Sequence, residues 1–207
     1  MKDLKVRIIL KYKNDLQSEL SQIQAFFKTE YPLNQHGLKE LFKLFKVEKV
    51  AKGETLLVAN TTENYLRFLN SGVVREYYAT PDKETNINFY TEPQFISDLS
   101  SFINDTSTNK NQECITEVEL LAVEKNEFRD LLDKYECGKS FIEISFQRLL
   151  KQKELFEYNR ITKTPDELYK ELIIYRPNWL DNIPQYHIAS YLNVTPETLS
   201  RIRKRIS

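Results

Sequence analysis

Apolar residues change their spacing three times along this chain. Leu16, Leu20, Ile23 and Phe27 recur at three- and four-residue steps, the period of one helix face. Leu38, Leu41, Phe42 and Phe45 continue that texture beyond Pro32. From Val47 to about Val123 the pattern shortens into runs rich in β-branched and aromatic residues: TLLVA, YLRFL, VVREYYA, NINFY and VELLAV. These read as strands, with Lys52-Gly53-Glu54 and Asn70-Ser71-Gly72 as turns. Several short strands at this spacing predict a sandwich, roll or barrel around one core. Tyr77, Tyr78, Phe89, Tyr90, Phe95 and Phe102 fall in or beside these strands. Cross-strand packing accounts for them better than the lining of a ligand pocket does.

From about Asn126 the helical period returns. Ile142, Phe146, Leu149 and Phe156 share one helix face, and up to Thr162 only Gly138 interrupts the pattern strongly. A periodic helix of more than about 25 residues usually meets a partner. A second copy of the chain is the expected one, and packing on its own β-domain is the alternative. Thr164-Pro165 then opens a new helix, with threonine as N-cap, proline at the first position and Asp166 and Glu167 in the first turn. Arg176-Pro177 ends it.

The last residues form a pattern of their own. Ile188, Ala189 and Leu192 make the apolar stripe of one short helix, and Leu199 and Ile202 that of another. Asn193 sits at the corner, where a left-handed backbone is needed. Thr195 can cap the second helix and Pro196 suits its first position. This is a helix-turn-helix pattern. With Leu199 and Ile202 turned inward, Glu197, Ser200 and Arg201 point outward, in the places that read base edges in a major groove. Thr195, Thr198, Arg203, Lys204 and Arg205 suit phosphates.

Composition sharpens this reading. The chain carries 30 basic and 30 acidic residues, so the cations at its end are a local feature. Its 41% hydrophobic and 29% charged content is that of a globular protein. The apolar run near Met1 is too short for a signal peptide or a membrane span, so a cytoplasmic protein with no membrane partner is expected. Cys114 and Cys137 read as two reduced thiols. The histidines, His36 and His187, are too far apart to suggest a metal site, and His187 reads as a surface or phosphate-adjacent residue. No nucleophile motif, P-loop or dinucleotide-binding glycine pattern occurs. The expectation is a protein that is not an enzyme, with no metal and no cofactor.

Across nearly its whole length the chain resembles the Crp/Fnr family of bacterial transcription regulators. KGETLLVANTTENYLRFLNSGVVREYY resembles the front of that family's β-roll. QFISDLSSF and CITEVELLAV resemble the flanks of its phosphate-binding cassette, and TPETLSRIRK its recognition helix. Glu197, Ser200 and Arg201 match the E-x-x-S-R pattern of the Fnr branch, where those residues read a TTGA-like half-site. The resemblance implies an α+β architecture with a double-stranded β-helix (jelly-roll) sensor domain, a long dimerisation helix and a C-terminal helix-turn-helix. The corresponding ranges are 1–130, 131–163 and 164–207, with residues 195–205 as recognition helix. It implies a homodimer on a pseudo-palindromic site in double-stranded DNA. Ile142, Phe146, Leu149 and Phe156 would form the dimer seam. RNA polymerase and an unknown small-molecule effector are further candidate partners.

Departures from the family pattern bear on the effector. Cyclic-AMP-binding members carry glycine and glutamate where this chain has Ser97 and Asp98, and an arginine about ten residues later. Here Lys110 is the only cation in NDTSTNKNQEC. A phosphate without a bidentate arginine loses much of its stabilisation, so Ser97, Asp98 and Lys110 form a degenerate cassette and control by cyclic AMP is not expected. The N-terminal cysteines of the Fnr branch are missing, and no wing is expected after Ser207. The alternative reading is a cyclic-nucleotide-binding module acting on a protein partner; it predicts cyclic nucleotide affinity and no dependence on the last helix.

Overall fold

The computed structural model describes residues 22–24, 35–136 and 138–206. Leu16, Leu20, Phe27, Pro32 and Cys137 lie outside the described residues, as do the side chains of His36, Leu38 and Ile142. Helix α1 (Gln35–Leu44) leads into eight strands: β1 (Lys46–Val50), β2 (Thr55–Leu57), β3 (Tyr65–Ser71), β4 (Val74–Ala79), β5 (Glu84–Tyr90), β6 (Gln94–Phe95), β7 (Asn111–Cys114) and β8 (Val118–Glu124). Helix α2 (Leu99–Asn104) lies between β6 and β7. After β8 come α3 (Lys125–Lys134), α4 (Gly138–Thr162), α5 (Pro165–Tyr175), α6 (Pro177–Asn182), α7 (Gln185–Tyr191) and α8 (Pro196–Ile206).

The strands form two four-stranded antiparallel sheets, β1-β8-β3-β6 and β2-β7-β4-β5. Side chains alternate between the faces of a strand, and each face here has its own cover. Leu66, Phe68, Leu121 and Val123 of the first sheet pack outward on Leu41, Phe102, Phe128 and Leu131 of the helices. Leu69, Leu120 and Ala122 point the other way, into the space between the sheets, where they meet Val74, Ile96 and Cys114. The outer face of the second sheet carries the C-terminal helices. The aromatics expected as packing groups divide the same way, with Phe95 edge-on to Phe68 at 5.2 Å and Phe102 against Phe128.

Gly72 joins β3 to β4 at φ +97°, and a Cβ there would stand 2.5 Å from the Glu117 carbonyl oxygen. No other residue type closes this turn without displacing backbone. The break expected near Gly138 is made by residues before it: α3 ends at Lys134, and Glu136 takes φ +50°. The long helix therefore runs from Gly138, and residues 131–134 complete α3. On α4, Phe146, Leu149 and Phe156 are half-buried, whereas Leu150 and Ile161 are 62% and 75% exposed. Thr164 caps α5 with the full reciprocal box: its hydroxyl accepts the Glu167 N–H, and its own N–H donates to Glu167 Oε2 at 2.8 Å.

Candidate functional site

Helices α7 and α8 are short and cross at a tight corner. Asn193 holds the left-handed conformation there, φ +56°. The Val194 N–H donates to the Ala189 carbonyl at 3.0 Å, closing the end of α7. Ile188, Ala189 and Leu192 are buried against Leu199 and Ile202, so the side of α8 that faces α7 is settled by its two apolar residues. The Thr198 N–H donates to Thr195 Oγ1 at 3.2 Å, which caps α8 as its sequence suggested.

With Leu199 and Ile202 buried, Glu197, Ser200, Arg201, Arg203, Lys204 and Arg205 are all exposed. The Glu197 carboxyl is held below its ordinary value, first by its own backbone N–H and then by the Thr195 hydroxyl. It therefore stays an anion and an acceptor. The residues expected on phosphates are not equivalent. Arg205 reaches back to Asp166 Oδ1 of α5 at 2.6 Å, Thr195 and Thr198 share a 3.2 Å hydroxyl contact, and Arg203 and Lys204 extend from the last turn.

Helix α7 presents its polar groups to the β-roll. The Asn86 side-chain amide of β5 lies 3.2 Å from both His187 Nδ1 and the His187 carbonyl oxygen. Ser190 Oγ accepts the Asn86 N–H and donates to the Glu84 carbonyl, at 3.1 and 3.0 Å. Phe89, also on β5, stands edge-on to Trp179 at 5.0 Å, and Trp179 edge-on to Tyr191 at 5.2 Å. Arg160 of α4 donates to the Tyr191 carbonyl at 2.8 Å. His187 is thus an interface residue, 8% exposed, and not the surface group its sequence position suggested. Burial, then the nearby Arg75 charge, depresses its pKa to about 4, so it is neutral near pH 7.

Ser97, Asp98 and Lys110, expected from the sequence as a degenerate cassette, lie between β6 and β7, with Lys110 turned to Glu76 of β4. Ser97 Oγ accepts the Arg67 N–H at 2.7 Å and donates to the Tyr65 carbonyl at 2.8 Å, tying the segment after β6 to β3. Asp98 caps α2 through Ser100 N–H and accepts the Thr108 hydroxyl at 2.6 Å. Lys110 Nζ lies 3.3 Å from Glu76 Oε1 and 3.7 Å from Asp98 Oδ1. Glu76 Oε2 accepts from Tyr90 Oη at 3.0 Å and Gln112 Nε2 at 2.9 Å. The three cassette residues lie close together, but their charged and polar atoms already have partners within the protein. Glu76, Tyr90 and Gln112 belong to this cluster and escaped the sequence reading. The signal available was a carboxylate in the middle of the strand VREYYA, on the face alternation turns inward.

Other chemistry is sparse. Cys114 is buried, and burial pushes its thiol up to about 11, which makes it a packing group. Among the described residues no cluster of three or more His, Cys, Asp or Glu side chains stands ready for a metal ion. Nor is any helix among them long and apolar enough to cross a membrane.

Residues 47–135 match the family model of the cyclic nucleotide-binding domain. Among solved structures, FixK2 from Bradyrhizobium japonicum superposes with a TM-score of 0.67 at 16% identity, covering 78% of this chain and 84% of that one. The fold is that of the Crp/Fnr regulators. The c-di-GMP-responsive global regulator CLP of Xanthomonas campestris gives a TM-score of 0.62 at 14% identity, over 84% of this chain and 91% of that one. The catabolite activator protein of Thermus thermophilus gives 0.54 at 15%, over 85% and 84%. No curated protein matches by sequence. At these identities the likeness is one of architecture. Asp98, Thr108 and Lys110 lie on the connection between β6 and β7, inside the matched residues 47–135, whereas α7 and α8 follow after them.

Proposed function

We propose that this chain is a homodimeric, sequence-specific DNA-binding transcription regulator with α8 as its recognition helix, operating without cyclic AMP. The observation that carries the reading is the division of α8: Leu199 and Ile202 are buried, while Glu197, Ser200, Arg201, Arg203 and Lys204 remain at the surface. Glu197, Ser200 and Arg201 read base edges, with Arg201 on guanine. Thr195, Thr198, Arg203, Lys204 and Arg205 meet phosphates, the last by exchanging Asp166 for the backbone of the duplex. Two copies joined along α4 set the recognition helices about 34 Å apart on a pseudo-palindrome. The seam is Ile142, Phe146, Leu149 and Phe156. It is extended by Leu150 and Ile161, which lie about 80–100° round the helix from Ile142 at 3.6 residues per turn. The cassette supports independence from cyclic AMP because its one lysine already faces two carboxylates.

Fluorescence anisotropy on a duplex selected from a random pool tests this, with and without cyclic AMP. The expected result is tight binding to the selected site, weaker binding to random DNA and no response to the nucleotide. Equal affinity for both duplexes would overturn the regulator reading, and tightening by cyclic AMP would overturn the reading of the cassette. Light scattering tests the seam: Ile161→Asp should convert dimers to monomers, and an unchanged mass would remove α4 from the interface.

A further inference from the structure

The second sheet is a wall one strand thick, and its two faces do different things. On β4, Glu76 faces the cassette, while its neighbour Arg75 faces outward and pairs with Glu84 and Glu113, each at 2.6 Å. On β5, Tyr90 reaches Glu76 on the inner side, while its neighbour Phe89 packs on Trp179, Tyr191 and His187 on the outer side. Cross-strand register places Arg75 opposite Phe89 and Glu76 opposite Gln112. Period-2 alternation thus ties each inner residue through one peptide bond to a residue of the outer face, and Phe89 of that face makes the contact with α7.

The inner cluster is an ionic assembly in a confined space. Glu76 and Asp98 are each about 5% exposed or less, and two carboxylates this enclosed need a cation between them. Lys110 supplies it. Burial works against its charge, but Glu76 and Asp98 outweigh that and hold its pKa above the ordinary lysine value. Its ammonium joins β4, the start of α2 and the segment leading into β7.

We propose that Lys110 serves as a built-in ligand of the β-roll and that the β4–β5 wall transmits the state of this ion cluster to α7. The sensor half is then held by its own side chain in the place where a diffusing effector would act, and α7 and α8 take their position from it. This inference builds on the proposed function, since it concerns regulation of the α8 surface, but its test needs no DNA.

Hydrogen–deuterium exchange of the full-length protein reads the relay in the amides of α7, compared with those of α3 on the far sheet. Lys110→Met removes the charge and keeps the stem. Glu76→Gln keeps the shape and breaks the ion pair, so it decides the matter if Lys110→Met fails to fold. Both should speed exchange in α7 relative to α3 by about fivefold or more, the low end of ordinary coupling between sites. Lys110→Arg should restore the wild-type pattern. Lys49→Met, which breaks an exposed pair with Glu119 on the other sheet, should leave it alone. Unchanged α7 exchange, an equal rise in α7 and α3, or a Lys110→Arg pattern as fast as Lys110→Met would each overturn the proposal. A relay seen by exchange in a protein that selects no DNA would leave the coupling standing and remove the regulator reading. Selective DNA binding with α7 indifferent to Lys110 would do the reverse.

Discussion

Helices α7 and α8 are adjacent, similarly short and packed on each other, yet they handle their polar groups in opposite ways. Helix α7 sinks His187 and Ser190 into hydrogen bonds with β5, and Trp179 and Phe89 close an aromatic contact beside them. Helix α8 buries two residues and leaves six polar or charged side chains, from Glu197 to Arg205, at the surface. Buried polar groups need partners within the protein, so α7 is fixed by its surroundings. Exposed charges gain little from one another in water, so those of α8 remain available to a polyanion. One helix of the pair is held within the protein, and the other keeps its charged face in solvent.

The largest expected effect breaks the held side. Trp179 is 4% exposed and wedged between Phe89 and Tyr191. Trp179→Ala should cost about 3–5 kcal/mol of stability in urea unfolding, the usual range for emptying an aromatic site. A loss under about 1 kcal/mol would mean that α7 is only loosely seated and that the contrast with α8 is false.

His187 should make the same contact sensitive to acid. Its folded-state value of about 4 lies below its ordinary 6.5. The unfolded chain therefore takes up the proton first as pH falls. The stability linked to neutral His187 is complete above about pH 6.5 and is lost as pH drops towards 4, by up to about 3 kcal/mol. Unfolding of wild type and His187→Asn at a series of pH values isolates this contribution from the carboxylates. The variant should lose less stability across that window; identical slopes would show that His187 is not the group responsible.

The exposed side should respond differently. Arg201→Ala should leave stability within about 0.5 kcal/mol, as surface substitutions usually do. It should cost about 1–3 kcal/mol of affinity for the selected duplex and relax preference at one guanine. Equal losses on selected and random DNA would demote Arg201 to a phosphate contact.

How legible each side was in the sequence follows from how local its determinants are. The corner at Asn193, the cap at Thr195 and the buried pair Leu199 and Ile202 depend on neighbours within a few residues, and periodicity carries them. The capping box at Thr164 and Glu167 is likewise spelled out locally. The contact of Asn86 with His187 joins residues 101 positions apart, and nothing near His187 announces it. A histidine between polar and apolar residues reads as a surface group until a distant strand, here β5, covers it. The cassette lay between these cases. Ser97, Asp98 and Lys110 could be found by comparison with a known pattern. Alternation along VREYYA turns Glu76 inward, but its place in the cluster depends on the register of β4 against β7, which sets it opposite Gln112. Two-residue β6 gives no periodic signal, yet it positions Ser97. The break before α4 came from a left-handed Glu136 that sequence would assign to helix.

The smallest effect is also the most diagnostic for α8. Lys204 is exposed in the last turn, beyond the residues expected to reach base edges, and no geometry singles out one nucleotide for it. A phosphate contact contributes by releasing condensed counterions, whatever the sequence beneath. Lys204→Ala should therefore weaken selected and random duplexes by the same factor, leaving their ratio unchanged. The slope of log affinity against log salt should become shallower by about 1. Arg201→Ala would lower the ratio, whereas Lys204→Ala would lower both affinities together. If Lys204→Ala changed the ratio, base reading would extend beyond the first turns of α8, and the helix would have to lie deeper along the groove than Glu197, Ser200 and Arg201 alone require.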